Sequence, residues 1–385
     1  IEKSRNLWFR AFSHAAVLEF RQCVDAQLAH VALTKEFTMP KVRAYACDDP
    51  RSIYHPTIID IREPGPGEVL FDIKYAGICH SDIHTARSEW GPIPYPFVGG
   101  HEIAGVVTKV GEGVMNFKVG DRIGVGCLQG SCRQCEYCTD GHEQFCNNPH
   151  AYWTFRAGPD GKPTAGGYAQ AMTVRADFGC HVPDEIELSD AAPLMCAGIT
   201  MYSPLRRWSA GPGKKVAIVG MGGLGHMGVQ IAAAMGAEVS VISHGRSKEE
   251  DARRFGATAF YATSEEGTIE SLASTFDLIV CTVSADDLDY PGLVRALKPF
   301  GVFVDVGLPE NPMVIPMRAV VNGNKVVAGS QIGGIAETQE MLEFCAQHGV
   351  RPVIEIIDGD SITEAYDKVV ASKVRYRFVI DTSTF

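Results

Sequence analysis

The stretch VAIVGMGGLG, residues 216–225, decides the fold of this protein. Val216–Val219 form a short apolar run typical of a buried strand, and a helical pattern over Met227–Met235 follows the glycines. In a G-x-G-x-x-G turn, the first glycine makes the tight turn, the second lets a pyrophosphate approach and the third lets helix and strand pack closely. The helix N-terminus then faces the anion. The residues expected to hold a dinucleotide here are Gly220, Gly222, Gly223, Leu224 and Gly225.

Short apolar runs alternate with helical patterns on both sides of this turn, which predicts a doubly wound parallel sheet. The expected strands are Val216–Val219, Glu238–Ser243, Leu278–Thr282 and Val302–Val306, and the expected helices are Met227–Met235, Lys248–Phe255 and Pro291–Leu297. Residues 216–237 carry no formal charge, but six glycines with His226 and Gln230 make them a poor membrane span.

The part of the chain before residue 195 is β-rich, with turn residues between short apolar runs. Its expected strands are Val69–Ile78, Ile103–Val110, Arg122–Val125 and Ala169–Val174. The tail predicts a helix, Glu337–His348, and two strands, Pro352–Ile357 and Arg377–Asp381. Residues 1–38 are expected to be an extension that is disordered or not native; a targeting segment is the alternative, although four acidic residues argue against it.

Composition excludes several classes of protein. Among 385 residues, 45% are hydrophobic and 21% charged, which is globular rather than disordered or fibrous. The net charge of −11, with no basic block, disfavours a nucleic-acid or acidic-membrane partner. Four of the 12 cysteines fall within fifteen residues, a pattern of metal ligation in a reducing compartment rather than of a secreted disulfide framework. We therefore expect a cytoplasmic protein.

The cysteine spacing C-x2-C-x2-C-x7-C predicts a zinc site. The ligands are Cys132, Cys135, Cys138 and Cys146. Four thiolates surround one Zn²⁺ tetrahedrally and leave no position for substrate, so this site is expected to be structural. Two alternatives are four surface cysteines without metal and a zinc ribbon that binds nucleic acid; the acidic charge balance argues against the ribbon.

A second group of possible ligands is dispersed along the chain. Cys79 follows an expected strand, His101 and Glu102 follow a glycine-rich loop, and Cys196 lies far downstream. Two thiolates and a neutral imidazole would leave zinc an open position for water or substrate. Taken singly, each of these residues is weak support, because a buried cysteine is usually a small hydrophobic residue.

The end of the expected second strand bears on the cofactor. An acidic residue about 20 positions after the glycines would bind the ribose hydroxyls of NAD. This chain instead has Ser243, His244, Arg246, Ser247 and Lys248, and its first acid is Glu249. Hydroxyls and cations suit a 2′-phosphate, which favours NADP(H) over NAD. The alternative is an ordinary helix start with two solvated cations.

Taken together, these residues resemble the zinc-containing medium-chain alcohol dehydrogenases, and most of all the cinnamyl alcohol dehydrogenase group. The resemblance runs from about Lys41 to Thr382. Six stretches carry it besides the four-cysteine segment: GICHSDIH (77–84), VGGHEIAGVV (98–107), PLMCAGITMYSPL (193–205), VGMGGLG (219–225), GSQIGG (329–334) and VRYRFVID (374–381).

The resemblance implies roles for individual residues. Cys79, His101 and Cys196 would hold a catalytic zinc, with Glu102 behind it and able to exchange onto it. Asp82 would orient a ligand. Ser81 would accept the alcohol proton and pass it through the nicotinamide ribose toward His84. His80 would contact the pyrophosphate and Thr200 the nicotinamide. The cofactor cleft would also be lined by Thr282, Gly307 and a strand formed by Ser330, Gln331 and Ile332.

The resemblance further implies a GroES-like catalytic domain (39–197 and 330–385) and a nucleotide-binding Rossmann domain (198–329). Two zinc ions per chain, NADP(H) and a homodimer are expected. The expected substrate is a small alcohol or aldehyde, and the expected reaction is hydride transfer between this substrate and the cofactor. An NAD-dependent polyol or alcohol dehydrogenase is the alternative, although Cys196 argues against a polyol enzyme. Candidates for an aromatic-lined pocket are Trp90, Tyr152, Trp153, Pro309 and Ile332, and the loop His150–Arg156 also contains Phe155.

Overall fold

A seven-stranded mixed sheet and a six-stranded parallel sheet form the frame of the protein. The computed structural model describes residues 40–148, 152–154 and 165–385. The expected extension 1–38, residue Phe155 and the side chain of Tyr152 lie outside the described part.

Seventeen strands are described. They are β1 (Lys41–Ala46), β2 (His55–Asp60), β3 (Glu68–Gly77), β4 (Ile103–Val110), β5 (Arg122–Val125), β6 (Leu128–Gly130), β7 (Tyr152–Trp153), β8 (Ala171–Arg175), β9 (Cys180–His181), β10 (Lys215–Val219), β11 (Glu238–Ser243), β12 (Ala259–Ala262), β13 (Phe276–Cys281), β14 (Leu297–Asp305), β15 (Val326–Gly329), β16 (Ile354–Ile357) and β17 (Arg377–Asp381). The described α-helices are His80–Ala86, Glu136–Thr139, Leu188–Pro193, Ile199–Arg207, Gly225–Ala234, Glu249–Arg254, Thr268–Ser271, Tyr290–Ala296, Met317–Val321, Ile335–His348 and Ile362–Val370. No helix in the described ranges is both long enough and apolar enough to cross a membrane.

The parallel sheet has the strand order β12-β11-β10-β13-β14-β15, and all its strands are parallel. The order reverses between β10 and β13, where open α/β sheets bind their ligands. Val216, Ala217, Ile218 and Val219 are all buried, because helices cover both faces of the sheet. This explains the uninterrupted apolar run and confirms the predicted doubly wound α/β fold.

The mixed sheet has the order β16-β17-β3-β4-β5-β9, and β8 also pairs with β3. Among the described strands of this sheet, only β16 and β17 pair in parallel. The C-terminal strand β17 lies antiparallel to β3, with Val379 opposite Gly77. This pairing brings the end of the chain beside the loop that carries Cys79.

One expected strand is wrong. The parallel strand β15 ends at Gly329, and Ser330, Gln331 and Ile332 lie in the irregular segment between it and the helix Ile335–His348. The Ser330 N–H donates to the Asp305 carbonyl at 3.1 Å, but Ile332 has a φ of +29°, which breaks the extended conformation. Seven strands were not among the predicted elements: β1, β2, β6, β7, β9, β12 and β15.

A π-helical turn, Leu194–Gly198, joins the helix Leu188–Pro193 to the helix Ile199–Arg207. All five residues of this turn are buried. A Cβ on Gly198 would lie 2.9 Å from the Met341 sulfur, so the helix Ile335–His348 packs directly against the turn. Cys196 lies at the middle of this turn.

Candidate active site and metal centres

Four possible metal ligands converge from three separate segments. Cys79 precedes the helix His80–Ala86, His101 and Glu102 precede β4, and Cys196 lies in the π-helical turn. One ligand atom from each lies within 4.8 Å of the other three, and all four residues are buried. Two thiols, an imidazole and a carboxylate are donors that zinc accepts. The donor set therefore fits a zinc ion.

Asp82 connects two of these ligands. Its Oδ1 accepts the His101 Nδ1–H at 2.7 Å and the Gly100 N–H at 3.1 Å, and its Oδ2 accepts the Cys79 N–H at 3.0 Å. Asp82 and His101 are both fully buried. The carboxylate fixes the imidazole with Nδ1 protonated, the arrangement usual for a metal-binding histidine. The predicted orienting contact is present in the structure.

Glu102 has a carboxylate oxygen within 4.8 Å of the other three ligand atoms, and it forms a buried ion pair with Arg377, whose Nη2 donates to its Oε1. The other carboxylate oxygen, Oε2, has no hydrogen-bond partner in the described part of the chain. Burial raises the pKa of Glu102 to about 7, although the Arg377 charge acts in the opposite direction. A carboxylate with one oxygen held and one free is suited to approach a metal without leaving its partner.

A third buried thiol, Cys127, packs with Cys79 and Cys196. The hydrogen bond from the Cys196 thiol, opposed by burial, holds the pKa of Cys79 well below its usual range, and Arg377 and His101 act in the same direction. Cys79 is therefore ready to serve as a thiolate ligand. The side chains of Trp153 and Ile332 pack against the three thiols. Both were among the expected pocket residues.

Ser81 and His84 lie on the same side of the helix His80–Ala86, three residues apart. The Ser81 hydroxyl oxygen lies 3.8 Å from the Cys79 sulfur. His84 Nδ1 bonds the Glu89 carboxylate, and the ring stacks on Trp90 with centroids 5.0 Å apart. Burial lowers the pKa of His80, which begins the helix. A serine next to the metal ligands and a half-exposed histidine can carry a proton outward.

The four-cysteine lobe brings its thiols together as expected. Sγ–Sγ distances are 3.8 Å for Cys132–Cys138, 3.4 Å for Cys135–Cys138 and 3.6 Å for Cys132–Cys146. Sulfurs bound tetrahedrally to one zinc at about 2.3 Å would lie about 3.8 Å apart. The cluster therefore fits a closed zinc site.

The lobe also contacts the segment that leads back to the active site. Glu143, which is buried, pairs with Arg133 and accepts the Ile335 N–H at 3.1 Å through Oε2. A Cβ on Gly334 would lie 1.8 Å from the Gly141 carbonyl oxygen. The lobe thus fixes the start of the helix that follows Ile332.

The glycine turn after β10 has the geometry of a pyrophosphate site. Gly220 has a φ of +88°, and a Cβ there would lie 2.7 Å from the Thr282 hydroxyl. A Cβ on Gly225 would lie 2.0 Å from the Gly220 carbonyl oxygen, so helix and turn touch. A Cβ on Gly222 would meet nothing within 4 Å, which leaves space above the turn. Gly223 and Leu224 complete the turn into the helix Gly225–Ala234.

The loop after β11 carries the expected cations, and both already have protein partners. Arg246 donates to Glu265 through Nε and Nη2, at 2.5 and 2.8 Å, and to Glu249 through Nη1 at 2.8 Å. Lys248 Nζ donates to the Met221 carbonyl in the glycine turn at 2.8 Å. Ser243 ends β11; His244 and Ser247 follow it in the loop. The loop therefore adjoins the glycine turn, but Arg246 faces two carboxylates.

The remaining expected cleft residues lie at the carboxyl ends of β13, β14 and β15 or in the helix after Cys196. The Thr282 hydroxyl donates to the Val219 carbonyl at 2.9 Å, and the Gly307 N–H donates to Asp305 Oδ1 at 2.8 Å. Thr200 is buried in the helix Ile199–Arg207. Ser330 and Gln331 follow β15.

Three residues of the site had no assigned role from the sequence. Arg377 is a charged residue next to the apolar run of strand β17, and this placement in the sequence could have indicated a buried partner. Cys127 is an isolated cysteine before the four-cysteine segment. Glu89 is five residues from His84, and no spacing rule connects it to that histidine.

Both halves of the chain match known families. Residues 65–184 match the alcohol dehydrogenase GroES-like domain, and residues 223–347 match the zinc-binding dehydrogenase family. The NADP-dependent alcohol dehydrogenase C 1 of Mycolicibacterium smegmatis is 54% identical over 90% of this chain and 99% of its own length.

Solved structures of alcohol dehydrogenases are similar to this chain over both halves. A cinnamyl alcohol dehydrogenase of Sorghum bicolor has a TM-score of 0.85 at 40% identity, and the CAD of Helicobacter pylori complexed with NADP(H) has 0.83 at 39%. Each covers 89% of this chain and 98% of its own. With this agreement over both domains, the chain belongs to the zinc-binding alcohol dehydrogenase family.

Proposed function

We propose that the protein is an NADP(H)-dependent, two-zinc alcohol dehydrogenase that interconverts primary alcohols and aldehydes, aromatic or medium-chain, of the cinnamyl alcohol type. The observation that carries this proposal is that Cys79, His101 and Cys196 are buried close together. In the same chain, strand β10 of the parallel sheet is followed by a glycine turn with open space at Gly222. The division into a catalytic domain (39–197 and 330–385) and a nucleotide-binding domain (198–329) is part of the proposal.

When bound, zinc supplies Lewis acidity at the substrate oxygen and the nicotinamide exchanges the hydride. The protein's own residues hold the ligands and move the proton. Asp82 orients His101, and Ser81 takes the alcohol proton from a position beside the Cys79 thiol. His84, held by Glu89, passes that proton to solvent.

Aromatic or medium-chain substrates are supported by the apolar surroundings of the metal site. Trp153, Ile332 and Cys127 pack beside the two thiol ligands and offer no charged group to a polar substrate. NADP(H) is supported by the absence of an acidic residue at the end of β11 and by the cations of the following loop.

Aldehyde reduction distinguishes this function from its alternatives. The zinc-loaded protein is assayed with cinnamaldehyde, benzaldehyde, a series of linear aldehydes and a polyol, each with both cofactors. We expect NADPH oxidation with the aromatic or medium-chain aldehydes. Faster turnover of a polyol with NAD would support the polyol alternative instead.

A homodimer is supported by the edge of the parallel sheet. The strand β15 lies at that edge and leaves Val326 and Val327 more than a third exposed, with Met317 and Val321 exposed nearby. Apolar edge strands are sites of association. Light scattering should give twice the chain mass, and Val327→Lys should give the monomer; an unchanged mass in that variant would exclude this interface.

A cytoplasmic location is the last part of the proposal. Eleven cysteines are described and none of them forms a disulfide, as expected in a reducing compartment. Fractionation of the source cells should find the activity in the cytosol; activity in an organelle or outside the cell would contradict it.

A further inference from the structure

We propose that Arg375, which lies outside the nucleotide-binding half of the chain, is the principal guanidinium that binds the 2′-phosphate of NADP(H). The inference rests on the proposed use of NADP(H) and adds a residue that determines cofactor specificity. It begins from the loop after β11, where the expected arginine is already engaged.

Arg246 has little capacity left for a phosphate. Its Nε, Nη1 and Nη2 all donate to carboxylates, two of them to Glu265 and one to Glu249. A phosphate at this guanidinium would have to displace these bonds and would lie close to two negative charges. Arg246 therefore contributes little net attraction for a phosphate.

Arg375 approaches the same loop from the C-terminal segment. Its Nη2 donates to the Ser247 carbonyl at 3.3 Å, and its Nη1 lies 3.8 Å from Asp251 Oδ2. The side chain is 45% exposed, and it makes no contact with a carboxylate closer than that ion pair among the described residues. Its donors are therefore accessible to an added anion.

Lys248 completes a pair of cations with Arg375. Both charges lie near the Tyr376 ring, with Lys248 Nζ 5.6 Å and the Arg375 guanidinium carbon 5.9 Å from the ring centroid. Burial, and after it the charge of Arg375, lowers the pKa of Lys248. Two neighbouring cations that repel each other would both be stabilised by a phosphate dianion between them.

Tyr376 fixes this arrangement. Its ring is stacked on His226 with centroids 4.9 Å apart, and its hydroxyl donates to Asp251 Oδ2 at 2.6 Å. Tyr376 is almost completely buried. The backbone that carries Arg375 is therefore docked firmly on the nucleotide-binding domain, so the guanidinium starts from a defined position.

The test compares two fragments that differ in the 2′-phosphate alone. Affinities of the zinc-loaded full chain for 2′,5′-ADP and 5′-AMP are measured by calorimetry, for wild type, Arg375→Ala and Arg375→Lys. We expect Arg375→Ala to weaken 2′,5′-ADP about tenfold and to leave 5′-AMP unchanged, because one charge-assisted contact is lost. Arg375→Lys should recover part of this loss, since it keeps the charge without the fork.

Arg254→Ala is the matched control. Arg254 is exposed and pairs with the same Asp251, at 2.8 Å, but makes no described contact with Ser247, Lys248 or Tyr376. This variant should keep the wild-type preference. An Arg375→Ala variant that weakens both fragments equally, or neither, overturns the inference. A wild type without preference for 2′,5′-ADP instead overturns the proposed use of NADP(H).

Discussion

Asp82→Asn tests whether the buried carboxylate prepares the metal site. In the structure, three N–H groups donate to Asp82: those of His101 and Gly100 to Oδ1, and that of Cys79 to Oδ2. An asparagine of the same shape has one oxygen and one NH2 group. If the oxygen keeps the two bonds at Oδ1, the NH2 group faces the Cys79 N–H, and two donors meet in a buried place.

The magnitude follows from these contacts. A buried donor left without an acceptor costs about 1–3 kcal/mol in the free energy of unfolding. Loss of the carboxylate behind the imidazole weakens a metal site about 10- to 100-fold. We therefore expect Asp82→Asn to lower both the stability and the zinc affinity of the site containing Cys79, His101 and Cys196, while the four-cysteine site keeps its metal.

Zinc retention is measured by metal analysis after competition with a graded series of chelators, and stability by urea unfolding of the zinc-loaded protein. Asp72→Asn is the control, because Asp72 lies on β3, is half exposed and pairs only with Lys74 among its described side-chain contacts. Wild-type zinc retention in Asp82→Asn would refute the reasoning, since the three bonds would then have no effect on the ligands.

Four further predictions concern the lobe, the proton path, the cofactor and pH. Cys135→Ala should leave about one zinc per chain and lower the melting temperature, because its site is closed and structural; an unchanged melting temperature would count against that role. Ser81→Ala should reduce kcat severely, whereas His84→Gln should lose less and regain activity with added buffer bases; equal losses without rescue would argue against the relay. Glu265→Gln should lower the KM for NADPH about threefold and leave the KM for NADH unchanged, because it removes a carboxylate that pairs with Arg246. Equal shifts for both cofactors would contradict this prediction. Burial lowers the pKa of His226 to about 3, so below about pH 6.5 the unfolded chain binds a proton that the folded chain does not. Between pH 7 and pH 5, wild type should therefore lose about 2 kcal/mol more of its free energy of unfolding than His226→Gln does, measured by urea unfolding. Equal losses in the two proteins would refute this prediction.

The parts of the fold that sequence predicts are those set by local patterns. Most residues of β10, β11 and β13, and residues 301–304 of β14, are buried, so these stretches form largely apolar runs in the sequence. The edge strand β15 is short and partly exposed, so its pattern is weak, and the strand was expected one segment too late, at Ser330–Ile332. The deciding factor there is a backbone conformation, the positive φ of Ile332, which has no marker in the sequence.

Within the candidate site, too, the sequence predicts the groups of residues that lie close together along the chain, but not the contacts between distant segments. The spacing of the four cysteines and of the glycines was sufficient to predict their geometry, since each set lies within one short segment. The convergence of Cys79, His101 and Cys196 depended on a resemblance, because these residues are distant in sequence. The Arg377–Glu102 pair joins residues 275 positions apart, and the engagement of Arg246 by Glu265 depends on how β12 is paired. Such contacts follow only from the folded topology.

The π-helical turn that holds Cys196 has a consequence for insertions and deletions in this protein. A π turn contains one more residue than the α-helical path between the same flanking helices. Removing one residue from Leu194–Gly198 would let the two helices join as a regular α-helix, and everything on one side of the join would rotate by about 100°. Helix content would be preserved, yet Cys196 would lose its register with Cys79 and His101. A change of length in this segment would therefore remove the zinc site even where every residue type needed to bind the metal is kept.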